Sequence, residues 1–190
     1  DVTRTVCWNR IFIEGSSDND DRGGLPRPYK FNAMNLNVMD LGLIEYETAW
    51  KLQDEYAAEI AEGKRLPTLL LLEHPHVYTF GRKGHAENLL WSEDQLRQKG
   101  IVTHWVDRGG DVTYHGPGQL VVYPIIELRS HKLNVASYVR TLEEMVIQTL
   151  ADFGINGKHG ENARGVWVGT RKIASVGVRI RHWVTMHGIA

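Results

Sequence analysis

The chain has 190 residues, a length that suits one domain with a substantial core. It is 42% hydrophobic and 24% charged, as in ordinary globular proteins, and its net charge of −1 gives no bulk attraction to nucleic acid or membranes. No apolar run is long enough to span a bilayer. Cys7 is the single cysteine, so no internal disulfide can form and a reducing compartment is expected.

Residues 1–34 are predicted to form a variable N-terminal extension. The segment GSSDNDDRGGLPRP (15–28) is rich in Gly, Ser, Asp and Pro, which is typical of a flexible loop. The preceding VCWNRIFIEG has the pattern of a short strand. Residues 35–190 are predicted to form the main domain.

The first half of this domain alternates strands with helices. LNVMDLG alternates as a strand does, and LIEYETAWKLQDEYAAEIAEG has apolar residues at helical spacing, with Gly63 ending the helix. TLLLLEH (68–74) predicts a buried strand, and VYTFGRKG continues extended before a turn. In SEDQLRQKG, Ser92 and Gln95 form a capping box and Gly100 is a stop signal, so a short helix is expected.

The second half is richer in strands. IVTHWVDR and QLVVYPIIEL are predicted strands on either side of a glycine-rich stretch, and SYVRTLEEMVIQTLADFG is a second long helix that ends at Gly154. GVWVGTRKIASVGVRIRHWVTMHGIA predicts two or three strands with tight turns. Two long helices need a sheet to cover their apolar stripes. The predicted class is therefore α+β, with one mixed, largely antiparallel sheet and two long helices.

The stretch between the two strands, RGGDVTYHGPGQ (108–119), concentrates four glycines and a proline around Arg108 and His115. Glycine lets the backbone approach a ligand closely, and successive N–H groups can form an anion nest or an oxyanion hole. In that case Arg108 and His115 should point toward the mouth of a pocket. A simple hairpin with both side chains on the surface explains the glycines equally well.

The pattern R-G-G-x-x-T-Y-H-G-x-G-Q resembles the signature of the octanoyltransferases of lipoate biosynthesis, the lipoyl(octanoyl) transferases. LGLIEYETAWKLQ, LLLEHPHVYTFGR, and GVWVGTRKIASVGVRI followed by HGIA are similar to other family segments in the same order, from about Leu36 to Ala190. The resemblance implies the fold shared with lipoate and biotin protein ligases. It also implies a reaction in which octanoyl moves from acyl-carrier protein to an enzyme cysteine, and then to a lysine amine of a lipoyl domain.

The resemblance also implies roles for individual residues. Lys172 would lower the pKa of the cysteine nucleophile, because a nearby cation stabilises a thiolate; a solvated turn lysine is the alternative. The implied acyl-substrate pocket consists of Arg108, Gly109, Gly110, Asp111, Val112, Thr113, Tyr114, His115, Ser175, Val176, Gly177, Gly188, Ile189 and Ala190. Leu70, Tyr78, Val176 and Val178 are candidates for the wall of an acyl tunnel, and equally for core positions.

The nucleophile is the point at which the chain departs from the family pattern. The family cysteine follows the HG-[LIV]-A turn, and this chain stops at Ala190, so we expect a C-terminally truncated, inactive domain. Cys7 lies outside the resemblance and is expected to be a buried hydrophobe. Ser175 is three residues from Lys172, which in one strand gives opposite faces. A non-catalytic relative that binds acyl-carrier protein or lipoyl domains is the alternative.

Other chemistry has weaker support. His74 and His76 flank Pro75, but two histidines without a third ligand do not define a metal site, so neither metal nor cofactor is expected. An ATP-dependent lipoate or biotin ligase would carry SGGG or GRGR motifs, which are absent.

The resemblance further implies which partners the protein meets. They are octanoyl-acyl-carrier protein and the lipoyl domains of 2-oxoacid dehydrogenases and of the glycine cleavage H protein, with no nucleic acid or membrane. A cytoplasmic monomer is expected, or a mitochondrial or plastid one in a eukaryote.

Overall fold

The computed structural model describes residues 35–161 and 163–190. The predicted N-terminal loop, its short strand and Cys7 lie outside the described residues. The helices are α1 (Tyr46–Ala61), α2 (Glu93–Gln98) and α3 (Val135–Asp152), with a 3-10 turn at Ala86–Asn88. The strands are β1 (Asn37–Leu43), β2 (Thr68–Glu73), β3 (Val77–Phe80), β4 (Val102–Trp105), β5 (Val112–His115), β6 (Val121–Ile125), β7 (Lys158–His159), β8 (Val166–Val168), β9 (Arg171–Ala174), β10 (Val176–Arg181) and β11 (Val184–Ile189).

A five-stranded sheet in the order β1-β2-β6-β11-β10 forms the centre of the fold. The two long helices cover its two faces, as the side chains of β2 make clear. Leu69 and Leu71 pack in the cluster that contains α3 residues, whereas Leu70 and Leu72 pack with residues of α1. A strand that is covered on both faces is apolar throughout, which explains the continuous leucine run.

Two three-stranded sheets complete the fold, in the orders β4-β3-β5 and β7-β8-β9. The pairs β1–β2 and β3–β4 are parallel, and the other pairs between these strands are antiparallel. The predicted α+β class with mixed, largely antiparallel pairing is confirmed. The strands form three sheets rather than one, because β5 pairs with β3 and the Gly116–Gly118 loop then carries the chain into the central sheet.

Two local predictions need correction. The glycine-rich stretch contains a strand, β5, where only a loop was expected. The C-terminal segment forms four strands rather than two or three. One of its turns is made by His182 and Trp183, both with positive φ (50° and 67°), as in a type I′ hairpin that usually carries Asn-Gly. Without glycine, the sequence does not signal this turn.

None of the helices in the described part of the chain combines the length and the apolar character needed to cross a membrane.

Candidate active site

A cavity of about 290 Å³ lies where the glycine-rich stretch meets the ends of β10 and β11. This volume is at the lower limit of typical small-molecule sites, which start at about 300 Å³. All the predicted pocket residues except Tyr114 line the cavity, and Lys172 lines it too. Residues that are distant in the sequence, on β5, β9, β10 and β11, therefore surround one space.

Tyr114 lies outside this cavity. Its side chain is exposed, and its hydroxyl lies 2.5 Å from Nδ1 of His76. The Tyr78 ring packs beside it, with centroids 5.2 Å apart. Successive residues of a strand face opposite sides, and the neighbouring His115 takes the inward position in β5.

Four apolar residues were candidates either for the wall of an acyl tunnel or for core positions, and of these four only Val176 lines the cavity. Leu70 packs in the core beneath α1, and Val178 packs against the cluster that contains α3. Tyr78 contacts Tyr114. Strand direction decides these positions, and an apolar residue type alone does not reveal it.

Arg108 and His115 lie in the interior rather than at the mouth, with exposures of 6% and 5%. Nη2 of Arg108 donates to the Thr79 carbonyl oxygen (2.7 Å) and hydroxyl (2.8 Å), and Nη1 donates to the Gly109 carbonyl (3.0 Å). Burial lowers the pKa of Arg108, but an arginine stays protonated in proteins. The cavity wall therefore contains a fixed positive charge.

The glycines of the pocket allow backbone segments to meet. Gly177 and Gly188 are register partners in the β10–β11 pair. A Cβ on Gly177 would lie 3.0 Å from the Gly109 carbonyl oxygen and 3.1 Å from Cδ of Arg108. A Cβ on Gly188 would overlap the Val122 carbonyl. A larger residue at either position would push the glycine-rich stretch or β6 away.

Lys172 is exposed, and its Nζ lies 5.3 Å from the centroid of the Trp167 ring, a cation–π distance. Ser175 lies between β9 and β10, and its backbone pairs with that of Ala190 in both directions (2.7 and 3.1 Å). Both residues line the cavity. The expectation that they face opposite sides is wrong, because the strand ends at Ala174 and the alternation ends with it.

Four lining residues were not predicted: Tyr46, Tyr123, Arg164 and His187. Tyr46 has the helical spacing of a core residue and Tyr123 belongs to a buried strand, so neither carries a local signal. His187 directly precedes Gly188 in the HGIA segment, which is the signal that could have identified it.

The two histidines that flank Pro75 lie in different environments. His74 is fully buried, and since a carbonyl can only accept, its Nδ1 donates to the Ile44 carbonyl (2.7 Å). Its Nε2 therefore accepts from the Tyr123 hydroxyl (2.9 Å). His76 is exposed beside Tyr114. Within residues 35–161 and 163–190, no cluster of three His, Cys, Asp or Glu side chains suits a metal ion.

Among the buried side chains that line the cavity, Arg108 is the charged one, whereas Asp111, Arg164 and Lys172 line it from exposed positions. Burial lowers the pKa values of His115 and His187 to about 4, so both are uncharged at neutral pH. Burial raises the pKa values of Tyr46 and Tyr123, which keeps their hydroxyls protonated. One fixed cation in an otherwise uncharged buried lining can stabilise a carbonyl oxygen that gains negative charge.

The fold has relatives among solved structures. A bipartite lipoate protein ligase from Thermoplasma acidophilum superposes with a TM-score of 0.63 at 22% identity, covering 82% of this chain and 60% of that one. At this identity the likeness concerns the fold. The predicted lipoate ligase-like fold is confirmed.

Sequence comparison is more specific. The octanoyltransferase of Solibacter usitatus is 52% identical, covering 82% of this chain and 71% of the relative. That of Flavobacterium johnsoniae is 44% identical over 82% of this chain and 74% of the relative. The model of the lipoyl protein ligase A/B catalytic domain matches residues 45–190. The chain belongs to this family, and the predicted resemblance to octanoyltransferases is confirmed.

Proposed function

We propose that the protein is an acyltransferase that transfers octanoyl groups in protein lipoylation. The observation that carries the proposal is the convergence of Lys172 and of the glycine-rich segment 108–113 on one cavity. The names of the similar proteins support the octanoyl group in particular.

The reaction we assign is a two-step transfer through a cysteine. A thiolate attacks the thioester of octanoyl-acyl-carrier protein and the carrier thiol leaves; the lysine amine of a lipoyl domain then displaces the thiolate. Lys172 stabilises the thiolate from the rim of the cavity. In the octanoyltransferase pattern this cysteine follows the HGIA segment, which here forms the end of β11 and Ala190.

The proposed pocket keeps the residues assigned from the resemblance, apart from Tyr114. The buried guanidinium of Arg108 and the backbone of Gly109 and Gly110 form its charged and glycine-lined wall. Neither ATP nor a metal has a role in this transfer, because the acyl group is already activated as a thioester.

The proposed acceptors are the lipoyl domains of 2-oxoacid dehydrogenases and the glycine cleavage H protein. We propose a monomer in the bacterial cytoplasm. The similar octanoyltransferases are bacterial, and a reducing compartment keeps a nucleophilic cysteine free.

The test is to incubate the protein expressed from its complete gene with octanoyl-acyl-carrier protein and an unmodified lipoyl domain, and to follow both proteins by intact mass. We expect octanoyl on the lipoyl domain without ATP, through an octanoyl-enzyme intermediate. A requirement for ATP would contradict the proposal and favour a ligase.

Lys172→Ala tests the assigned role of the lysine. We expect slower acylation and a thiol that needs a higher pH for alkylation, with about 1.4 kcal/mol of thiolate stabilisation lost per pKa unit. Lys64→Ala is the matched control, because Lys64 is exposed and pairs with Glu62. An alkylation profile that Lys172→Ala leaves unchanged would remove this residue from the mechanism.

A further inference from the structure

A buried polar cluster lies behind one wall of the cavity, centred on His187. The imidazole is 1% exposed, with its Nδ1 3.4 Å from the Tyr46 hydroxyl and its Nε2 3.5 Å from Oδ1 of Asp107. The His187 backbone N–H donates to Oε1 of Gln53 (2.7 Å), whose side chain is fully buried. Groups from α1 and from the segment after β4 thus converge on one histidine of β11.

The backbone of His187 is strained. Its φ is +56°, a left-handed value that is uncommon for residues other than glycine. Strain of this kind concentrates at functional sites. The bond to Gln53 stabilises the strained backbone and so fixes the direction of the imidazole ring.

The bonding capacity of Asp107 determines which nitrogen of His187 carries the proton. Among the described residues, Asp107 Oδ1 and His187 Nε2 are buried atoms without an ordinary hydrogen bond, and they face each other. The other oxygen, Oδ2, accepts from Nε of Arg179 (2.8 Å). A carboxylate only accepts, so Nε2 carries the proton and Nδ1 presents a lone pair to Tyr46.

The direction of these contacts gives Tyr46 a chemical capability. Its O–H points toward Nδ1 of His187, so its oxygen lone pairs stay available to a group inside the cavity, which Tyr46 lines. The contact distances are long for hydrogen bonds, as catalytic contacts often are before the substrate complex forms. The three groups have the roles of a serine–histidine–aspartate triad, with Tyr46 in the place of the serine.

We propose that Tyr46 is a catalytic residue of the amine step, which accepts a proton from the attacking lysine amine while passing its own proton to His187, with Asp107 as a positioning residue. This inference rests on the proposed function. The C–N bond forms, the C–S bond breaks, and the electron pair leaves on the cysteine sulfur. The amine proton ends on the Tyr46 oxygen, and the former Tyr46 proton ends on Nδ1 of His187.

A second tyrosine–histidine pair explains why the proton goes to His187. Tyr123 donates to His74 in the same cavity wall, but His74 in turn donates to the neutral Ile44 carbonyl. A carboxylate stabilises an imidazolium more than a carbonyl does, because the hydrogen bond is charge-assisted. Only the pair with Asp107 has this support.

The charges around His187 determine when it can be protonated. The titratable groups that face it are Tyr46 from α1, Asp107 and Arg108 from the segment after β4, His115 from β5, Tyr123 from β6 and Arg179 from β10. Burial and the two arginines disfavour the imidazolium, whereas Asp107 favours it. The oxyanion of the transition state adds a negative charge to the cavity, so protonation is favoured at that moment.

The test separates the two half-reactions in the protein expressed from its complete gene. Acylation by octanoyl-acyl-carrier protein is timed first, and transfer from the isolated octanoyl-enzyme to a lipoyl domain second. We expect Tyr46→Phe and His187→Asn to lower the rate of the second step relative to the first about 100-fold, the usual contribution of a general base. Asparagine is chosen because it tolerates the left-handed backbone.

Tyr138→Phe is the matched control. Tyr138 is a buried tyrosine of α3, its hydroxyl lies 3.4 Å from the Pro124 carbonyl, and it does not line the cavity. Both steps should keep their wild-type rates in this variant.

Hydroxylamine as the acceptor distinguishes catalysis from a structural role. It attacks thioesters without help from a base, so the Tyr46 and His187 variants should react with it at the wild-type rate. Equal losses with hydroxylamine and lysine would overturn the inference, as would an unchanged rate ratio. If Tyr46→Phe does not fold, His187→Asn and Asp107→Asn carry the test. A wild-type protein that forms no octanoyl-enzyme would instead contradict the proposed function.

Discussion

Gly81 lies so close to Gly110 that a Cβ on Gly81 would overlap the Gly110 carbonyl oxygen and lie 2.8 Å from Nη1 of Arg108. Three backbone hydrogen bonds join the two segments. Gly81, Arg82 and Lys83 donate to the carbonyls of Asp111, Arg108 and Gly110 at 3.0–3.1 Å. The segment after β3 therefore supports the glycine-lined wall of the cavity from behind.

Gly81→Ala is expected to lower the free energy of unfolding by about 1–3 kcal/mol, the usual cost of overpacking. It should also weaken binding of an octanoyl thioester, because the Arg108 guanidinium must move. Urea unfolding and calorimetric titration measure the two effects. Gly109→Ala is the stability control, since a Cβ there would meet only the Val178 carbonyl, at 3.6 Å. Equal stability losses in both variants would contradict the close-contact explanation.

Three buried histidines surround the ring of Tyr46. The centroids of His74 and His115 lie 5.1 and 6.0 Å from it, and Nδ1 of His187 lies 3.4 Å from its hydroxyl. Burial lowers all three pKa values, to about 4 for His115 and His187. The unfolded chain therefore binds protons that the folded state excludes, so stability falls as the pH drops from about 6.5 toward 4.

We expect the free energy of unfolding to fall by several kcal/mol between pH 7 and pH 4.5. The pKa of His115 falls from 6.5 to about 4, which corresponds to roughly 3 kcal/mol across the full range. His115→Gln should make the dependence visibly shallower in urea unfolding at several pH values. His85→Gln, on the surface, should keep the wild-type slope. A His115→Gln slope equal to that of the wild type would show that this histidine does not drive the acid sensitivity.

The ends of the helices could be predicted from the sequence because they depend on neighbouring residues. Gly63, Gly100 and Gly154 all adopt positive φ (66–72°) after a helix, as expected. The capping box of Ser92 and Gln95 is present in both directions. Local chemistry of this kind does not require knowledge of the fold.

The pairing of strands could not be predicted from local patterns. Alternation shows that β5 and β6 are extended, but which strands they join depends on contacts between distant residues. The four unpredicted cavity residues could not be predicted for the same reason, because contacts between distant residues place them in the cavity. Tyr46 has the spacing of a core position, and only the arrival of β11 beside α1 brings His187 to its hydroxyl. Motif resemblance supplied most of the pocket because it carries information about the fold that periodicity lacks.

The segment that carries Arg164 to the cavity is held by a buried carboxylate. Oε1 of Glu143 accepts the backbone N–H of Gly165 (2.8 Å), and Oε2 lies 3.2 Å from Nδ1 of His159. The neighbouring Glu144 contacts the other nitrogen of His159 at the same distance. The two carboxylates differ in burial, since the side chains of Glu143 and Glu144 are 3% and 43% exposed.

The variants Glu143→Gln and Glu144→Gln form a matched pair, because both carboxylates contact His159. Glu143→Gln should lower the free energy of unfolding by about 1.5–3 kcal/mol, the contribution of a hydrogen bond to a buried charged group. Glu144→Gln should cost less than about 1 kcal/mol, because water screens an exposed pair. Since Arg164 directly precedes Gly165, only Glu143→Gln should also weaken octanoyl thioester binding several-fold in calorimetric titration. Similar losses of stability and affinity in both variants would show that burial of Glu143 does not position this segment.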